Sequence, residues 1–339
     1  MSIIVGEETP SADLSWQERP GGIQNSSGGI SYFLVAFFTI VVPLAGLVWA
    51  GFLFYQQGIS WLDVGLLLGM YLVTILGVEL GFHRYLTHRS LSTTRTMRAL
   101  LTIAGSMSAQ GQPIWWVAIH RRHHGHSDHE GDPHSPNLHG ETLWQQLVGG
   151  WHSHIGWMFQ PQCTAAHASH FAKDLLSDRT MITLDRWYFG WVLLGLAIPA
   201  AIGGWVTGTS AGAVSGLVWG GLMRMFLGQH ALWWGIVTIC HRYGTRPFKS
   251  NDDSTNHWLV AVLFLGDGWH NNHHAFPASA KVGLRWWEFD VTWWFIRAFQ
   301  RVGLIWDVKV PSGKMMQDKL IAGGERRSSG VPTAFDKLA

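Results

Sequence analysis

The sequence predicts an all-α integral membrane protein, with four transmembrane helices in two hairpins and a helical cap on one side that holds a two-metal site. Three observations point there. Four stretches are long and apolar enough to cross a bilayer core of about 30 Å, which takes about 20 residues. Only 14% of the 339 residues are charged, against roughly a quarter in an average soluble domain. Nine histidines fall in three tight boxes and one isolated position, each just beyond an apolar run.

The spans are expected at about 32–54, 61–80, 187–206 and 213–240. The second ends three residues before His83, and the fourth runs up to His241. Arg224, Gln229 and His230 interrupt the fourth. An ionisable group inside a membrane segment is costly and faces a partner or a cavity. Arg224 is therefore expected either to pair locally or to serve the metal or substrate path. The two hairpin connections, 55–60 and 207–212, hold no Lys or Arg, whereas residues 81–186 hold nine and residues 241–339 hold thirteen. The positive-inside rule then puts both termini and both long segments in the cytoplasm. All nine boxed histidines fall on one side, which requires an even number of spans between His88 and His241.

Within the cap, residues 91–124 read as mostly helical, and residues 140–158 as an interfacial amphipathic stretch bearing Trp144, Trp151 and Trp157. A short apolar piece, Leu259 to Leu265, leads into the last box, and an aromatic helix is expected from Trp286 to Gly303. The 21 Trp and 17 Phe suit aromatic belts at the membrane surface. Residues 1–30 and 309–339 are polar and Gly/Ser-bearing and are expected to be flexible tails around one unit, 31–308. The first thirty residues lack a basic stretch followed by an apolar core, so no signal peptide is expected. No electron-carrier domain is expected at either end. Two cysteines, Cys163 and Cys240, cannot build a disulfide framework. Cys240 is expected to pack as a small hydrophobe. No nucleic-acid partner is expected.

The boxes are His83-Arg84-Tyr85-Leu86-Thr87-His88, His120-Arg121-Arg122-His123-His124 and His270-Asn271-Asn272-His273-His274, with His241 on its own. Imidazole suits iron, zinc, copper and nickel. A His-x-x-His-His pattern on a helix shares one face and extends along it, so one helix can serve both ions of a pair. The spacing of His83 and His88 is less natural, about 140° apart at 3.6 residues per turn. That box is expected at a helix end, with a bend. Zinc sites take three or four protein ligands, so nine neutral ligands fit better with a redox pair that handles oxygen. Among the other ten histidines, His134 and His154 could orient the ligands, although a place in a polar loop near the interface is the preferred reading.

Longer stretches around the boxes carry a family resemblance. They are Gly81 to Arg89, Trp116 to His124, Gly131-Asp132-Pro133-His134-Ser135-Pro136, His241-Arg242-Tyr243-Gly244 with Arg246-Pro247-Phe248, and Gly266 to Pro277. In these the chain resembles the membrane-bound fatty acyl desaturases of the stearoyl/Δ9 type, in their bacterial and plastid-type branch. The resemblance covers about residues 30–308. It implies four transmembrane helices, a cytosolic cap, two iron ions, O2 as co-substrate, and insertion of a cis double bond, at Δ9, into a saturated acyl chain. It implies His83, His88, His120, His123, His124, His241, His270, His273 and His274 as the metal ligands. It also implies a long-chain acyl substrate on CoA, a carrier protein or a lipid, and a separate one-electron donor such as ferredoxin or cytochrome b5.

Three departures from the family pattern matter. Val237 stands where members carry an Asn four residues before the isolated histidine. Asp267 replaces a Glu before the last box. Ala118 replaces the basic residue that meets CoA in the animal enzymes. A membrane hydroxylase or acetylenase using a similar site is the nearest alternative. A metal transporter would need ligands inside the bilayer. An apolar tunnel is expected to involve Trp115, Trp116, Trp233 and Trp234.

Overall fold

The computed structural model describes residues 30–164 and 166–327. Among these, four helices are long and apolar enough to cross a membrane: Thr39–Gln57, Trp61–Thr87, Tyr188–Thr207 and Ser210–Ile239. With the cap they form the expected all-α membrane fold. The expected tail over residues 1–30 lies, apart from Ile30, outside the described residues.

Short connections make the two hairpins. Gly58 turns the chain at φ +74°. Ser60 then caps the second span and shares a reciprocal capping box with Asp63. Gly208, at φ +67°, ends the third span, and the Thr209 side chain accepts from Gly212 N at the start of the fourth. Ser215 Oγ donates to Asp63 Oδ1 at 2.7 Å, so the second and fourth spans begin side by side. Their other ends, which carry the histidines, therefore emerge together.

The second span runs past its expected end at 80 because it changes helix type rather than stopping, and the fourth, which ends at Ile239 close to where it was expected to, also changes helix type along its length. The second is α-helical to Leu76 and π-helical from Gly77 to Thr87. The fourth contains π-helical pieces at Leu217–Met223, Leu227–Ala231 and Trp234–Ile239. Such π segments are rare and cluster at functional sites. The second span crosses helix Arg95–Met107 at Gly77, where a Cβ would overlap the backbone of Ala104 and Gly105. Close approach through small residues is how membrane helices pack.

Arg224 is 1% exposed. Its guanidinium donates to the carbonyls of Met107, Gly195 and Gly220. It ties the third and fourth spans to the end of helix Arg95–Met107. Of its two expected roles this is local pairing; Arg224 does not line the pocket at the histidines.

The cap follows the second span. Helices Arg95–Met107 and Pro113–His126 occupy the region expected to be helical. Helix Leu143–His154 leaves Leu143, Trp144, Leu147 and Trp151 exposed on an apolar face, as a helix lying in the membrane surface would. Trp157 departs from that expectation: it is fully buried in the central cluster. The short apolar piece is helix Trp258–Leu263, and the aromatic helix is shorter than expected, Val291–Arg301. Cys240 is buried in the same central cluster as Trp157.

Strands β1 (Ser92–Thr93), β2 (Gly244–Phe248), β3 (Ile305–Trp306) and β4 (Leu320–Arg327) form two antiparallel ladders, β1 with β3 and β2 with β4. The second ladder corrects the expected tail from residue 309. Gly313–Lys319 is helical, and β4 pairs with the strand that follows His241. Its backbone hydrogen bonds to β2 outweigh its polar composition. Residues 328–339 lie outside the described residues.

Replacing Arg224 by Leu should strand three buried carbonyls and destabilise the protein by about 3 kcal/mol. A thermal-denaturation series in detergent checks this, and an unchanged midpoint would contradict the tying role.

Candidate metal centre

The boxes are brought together by groups that the box pattern itself contains. Within the second span the π-helical hydrogen bond from His88 N to His83 O (3.1 Å) spans five residues. It places the two rings one turn apart, so the awkward spacing of this box is resolved by helix type. Arg121 then clamps this end to the second box: its guanidinium donates to the carbonyls of Leu86 (2.6 Å) and Thr87 (3.1 Å) and grips Asp174. The N-terminus of the second-box helix is fixed by Ile114 N donating to Asp185 Oδ1 at 2.9 Å.

In the third box the asparagines do the clamping. Asn271 exchanges two hydrogen bonds with the Phe248 backbone of β2. Asn272 donates to Val282 O and Glu288 Oε2 and accepts from Asn256. Arg84 of the first box forms a fully buried bidentate pair with Asp290, at 2.9 and 3.1 Å. Asp290 also caps the aromatic helix through Trp293 N. The second span and the segment after the last box are thereby locked together.

The result, among the described residues, is two groups of histidines whose ring nitrogens lie within 4.8 Å of one another. One group is His83, His88, His120, His124 and His273. The other is His123, His241, His270 and His274. All nine residues singled out in the sequence are present, and each enters one of these two all-histidine groups; His123 also groups with Asp132 and His134, and His83 with Glu79 and Asp267. The two His-x-x-His-His helices divide between the groups as the helical faces require. His120 and His124, four apart, go to one group while His123 goes to the other. His270 and His274 join one group while His273 goes to the other.

Four of the rings are held by carboxylates at Nδ1. Glu79 accepts from His83 at 3.1 Å, Asp132 from His123 at 3.0 Å, Asp128 from His241 at 2.8 Å and Asp252 from His274 at 2.6 Å. A proton on Nδ1 leaves Nε2 as the free lone pair and aims it inward. The Nε2 atoms of His83 and His273 are 3.0 Å apart, those of His124 and His273 2.9 Å, and those of His241 and His270 3.1 Å. Two nitrogens bound cis to one ion at ~2.1 Å stand about 3.0 Å apart. His88 Nε2 and His274 Nε2 are buried with no hydrogen-bond partner. This donor set fits a pair of metal ions.

The electrostatics agree. Burial, then the charge of neighbouring imidazoles, pushes His88, His120, His124, His270 and His273 well below the usual histidine range. They are neutral at pH 7, as metal ligands must be. His241 differs: burial would lower it, but the Asp128 carboxylate beside it prevails and lifts it to about 9, so this ring carries a proton at pH 7 that a binding metal ion would displace. Asp128 in turn is held at about 2: burial opposes this, and His241 and Ser135 overcome it. Asp132 and Asp252 lie below the carboxylate range for the same reason, each facing its histidine.

Beside the imidazoles lies a pocket of about 640 Å³, its open mouth included. His83, His120, His123, His241 and His270 all line it. Its apolar wall is a stack of three indoles: Trp115 on Trp157 at 5.8 Å and Trp157 on Trp233 at 5.1 Å. Trp116 also lines it, as expected, whereas Trp234 is 45% exposed and does not. His134 stacks on His123 at 4.6 Å and lines the pocket, so it belongs to the site; His154 does not touch it. Val237 and Asp267 line the pocket too, and Asp267 Oδ1 lies 3.5 Å from His83 Nδ1. Ala118 is fully buried in the core.

Sequence reasoning missed the carboxylates Asp128, Asp252 and Glu79, and Trp157. Glu79, one helical turn before His83, could have been found. Asp128 and Asp252 sit in loops and meet their rings only through the fold; Asp128 even holds a left-handed backbone, φ +59°.

The sequence profile for the fatty acid desaturase family matches residues 59–306. The chain belongs to the fatty acid desaturase family. Similar proteins include a hex-5-enoyl-[acyl-carrier protein] acetylenase of Moorena producens, 42% identical over 284 residues, covering 83% of this chain and 88% of that protein. An sn-1 stearoyl-lipid 9-desaturase of Anabaena variabilis is 40% identical over 265 residues, covering 78% and 90%. An acyl-CoA C20 Delta5-desaturase of Anemone leveillei is 36% identical over 263 residues, covering 77% and 78%. Membership makes the chain an integral membrane oxidoreductase.

Asp128→Ala should weaken metal retention at the group containing His241 by about 10- to 100-fold, since the ring loses its orienting acceptor. Competition with a graded series of chelators measures this; retention equal to the parent would contradict the orienting role.

Proposed function

We propose that the protein is an oxygen-dependent acyl desaturase that inserts a cis double bond, at Δ9, into a saturated acyl chain. The observation that supports this most is the pair of imidazole groups opening onto an apolar, indole-walled pocket. The nine histidines His83, His88, His120, His123, His124, His241, His270, His273 and His274 would hold two iron ions. Bound there, iron supplies the redox chemistry that couples O2 reduction to C–H oxidation. The overall balance is one –CH2–CH2– unit, one O2, two electrons and two protons giving –CH=CH– and two waters. The electrons come from a separate one-electron donor such as ferredoxin or cytochrome b5. Both termini, and the site, face the cytoplasm, as the Lys/Arg distribution of the sequence argues.

The chain's own residues do three things. The carboxylates at Nδ1 fix the rings of His83, His123, His241 and His274, so little reorganisation of these is needed when charge changes at the site. The indole stack and the aliphatic wall of Ile119, Leu232 and Ile236 exclude water and hold an acyl chain against the imidazoles. Fixing the chain in one register selects which methylene pair reacts. The acyl group would ride on CoA, a carrier protein or a lipid.

A related acetylenase or hydroxylase is the second reading. Two observations favour it: the 42% identity to an acetylenase, and Val237 lining the pocket where the family pattern has Asn. Expression in a host lacking unsaturated fatty acids, followed by mass spectrometry of its lipids, tests the choice. Desaturation gives monounsaturated chains two mass units lighter than their precursors. A triple bond or an added oxygen atom would overturn it. Val237→Asn should keep its iron and fold and shift at most the product ratio; complete loss of iron would count against the place given to Val237.

A further inference from the structure

A second cavity adjoins the first. Gln110 and Trp233 line both. The rest of its wall includes Thr39 and Ile40 of the first span, His154 of the interfacial helix, and Gln229 and His230 of the fourth span. No Lys, Arg, Asp or Glu lines it among the described residues. The proposed reaction leaves its polar groups unused.

Their hydrogen bonds can be assigned one by one. His230 Nε2 lies 3.0 Å from the Ile40 carbonyl, which only accepts, so Nε2 carries a proton. A neutral His230 then accepts at Nδ1 from His154 Nε2, 3.1 Å away. His154 is neutral at pH 7, because burial and then the nearby His230 hold its pKa at about 4. Its second nitrogen, Nδ1, is therefore a bare lone pair, and it is buried without a partner. Gln229 donates its amide N–H to the Ala109 carbonyl at 2.6 Å, which leaves its Oε1 an acceptor, also buried without a partner. His154 and Gln229 are only 7% and 6% exposed. Two residues from different elements that line one cavity beside the acyl pocket thus each carry a buried, unsatisfied acceptor.

Buried acceptors seek donors. The methyl end of an acyl chain would leave both unsatisfied. A phosphate or carboxylate would meet two lone pairs and no cation. We propose that this cavity is the carrier end of the acyl site and takes a neutral hydrogen-bond donor, a hydroxyl or amide N–H, that the substrate bears beside its acyl linkage. The inference rests on the acyl reading given above and adds the chemistry of the carrier. Anchoring that end sets the distance along the chain at which methylenes pass the imidazoles, so the cavity also fixes the position of oxidation. A hydroxyl of a lipid's glycerol or sugar and an amide of a pantetheine thioester share this chemistry.

Titration of the purified, metal-loaded protein in detergent, followed by tryptophan fluorescence, separates them. The probes are monopalmitoylglycerol, S-palmitoyl-pantetheine and methyl palmitate, which has no donor. At least one donor-bearing probe should bind about tenfold more tightly than methyl palmitate, and whichever does so identifies the source. Gln229→Leu and His154→Phe should each bring the preference close to parity while methyl palmitate binds as before. Equal affinity of all three probes for the parent protein, as when a bridging water already satisfies both acceptors, overturns the inference and leaves the acyl reading standing. So does a preference that survives in both variants. Binding of none of the three overturns both. A variant that also loses methyl palmitate has lost its fold, and the comparison on the parent protein then decides alone.

Discussion

Lone pairs that point at one another inside a protein are unfavourable unless something positive lies between them. Here the Nε2 atoms of His83 and His273, and of His124 and His273, approach to about 3 Å in a buried interior. Much of the rest of the cap can be understood as the framework that holds this arrangement. The carboxylates at Nδ1 choose the tautomer. The clamps at Arg84, Arg121, Asn271 and Asn272 fix the backbone that carries the rings.

The membrane spans take part in the chemistry as well as anchoring it. The second span delivers His83 and His88 because it turns π-helical as it leaves the apolar run, and the fourth does the same on its way to His241. A straight α-helix would have spread His83 and His88 about 140° apart. The hairpin turns, joined through Ser215 and Asp63, keep the two span ends in register at the far side. The bilayer thus supplies the parallel geometry, and a local change of helix type supplies the aim.

Much of this was legible in the amino-acid order. Span count, hairpin pairing and the nine histidines follow from hydropathy and from spacing, both of which are local. What stayed hidden depends on contacts between distant segments. Asp128 and Asp252 look like ordinary loop acids until His241 and His274 arrive beside them. Trp157 reads as an interfacial residue by its neighbours, yet its ring turns inward onto Trp115 and Trp233. The segment from 309 looked like a tail because its composition is polar. Strand pairing with β2 holds it through backbone groups, which composition does not report.

The central claim is that five imidazoles and four imidazoles gather around two separate ions. Metal content per chain in protein purified in active form, by mass spectrometry against quantitative amino-acid analysis, addresses it directly. The account predicts two irons per chain. One ion per chain, or zinc in place of iron in fully active protein, would contradict it.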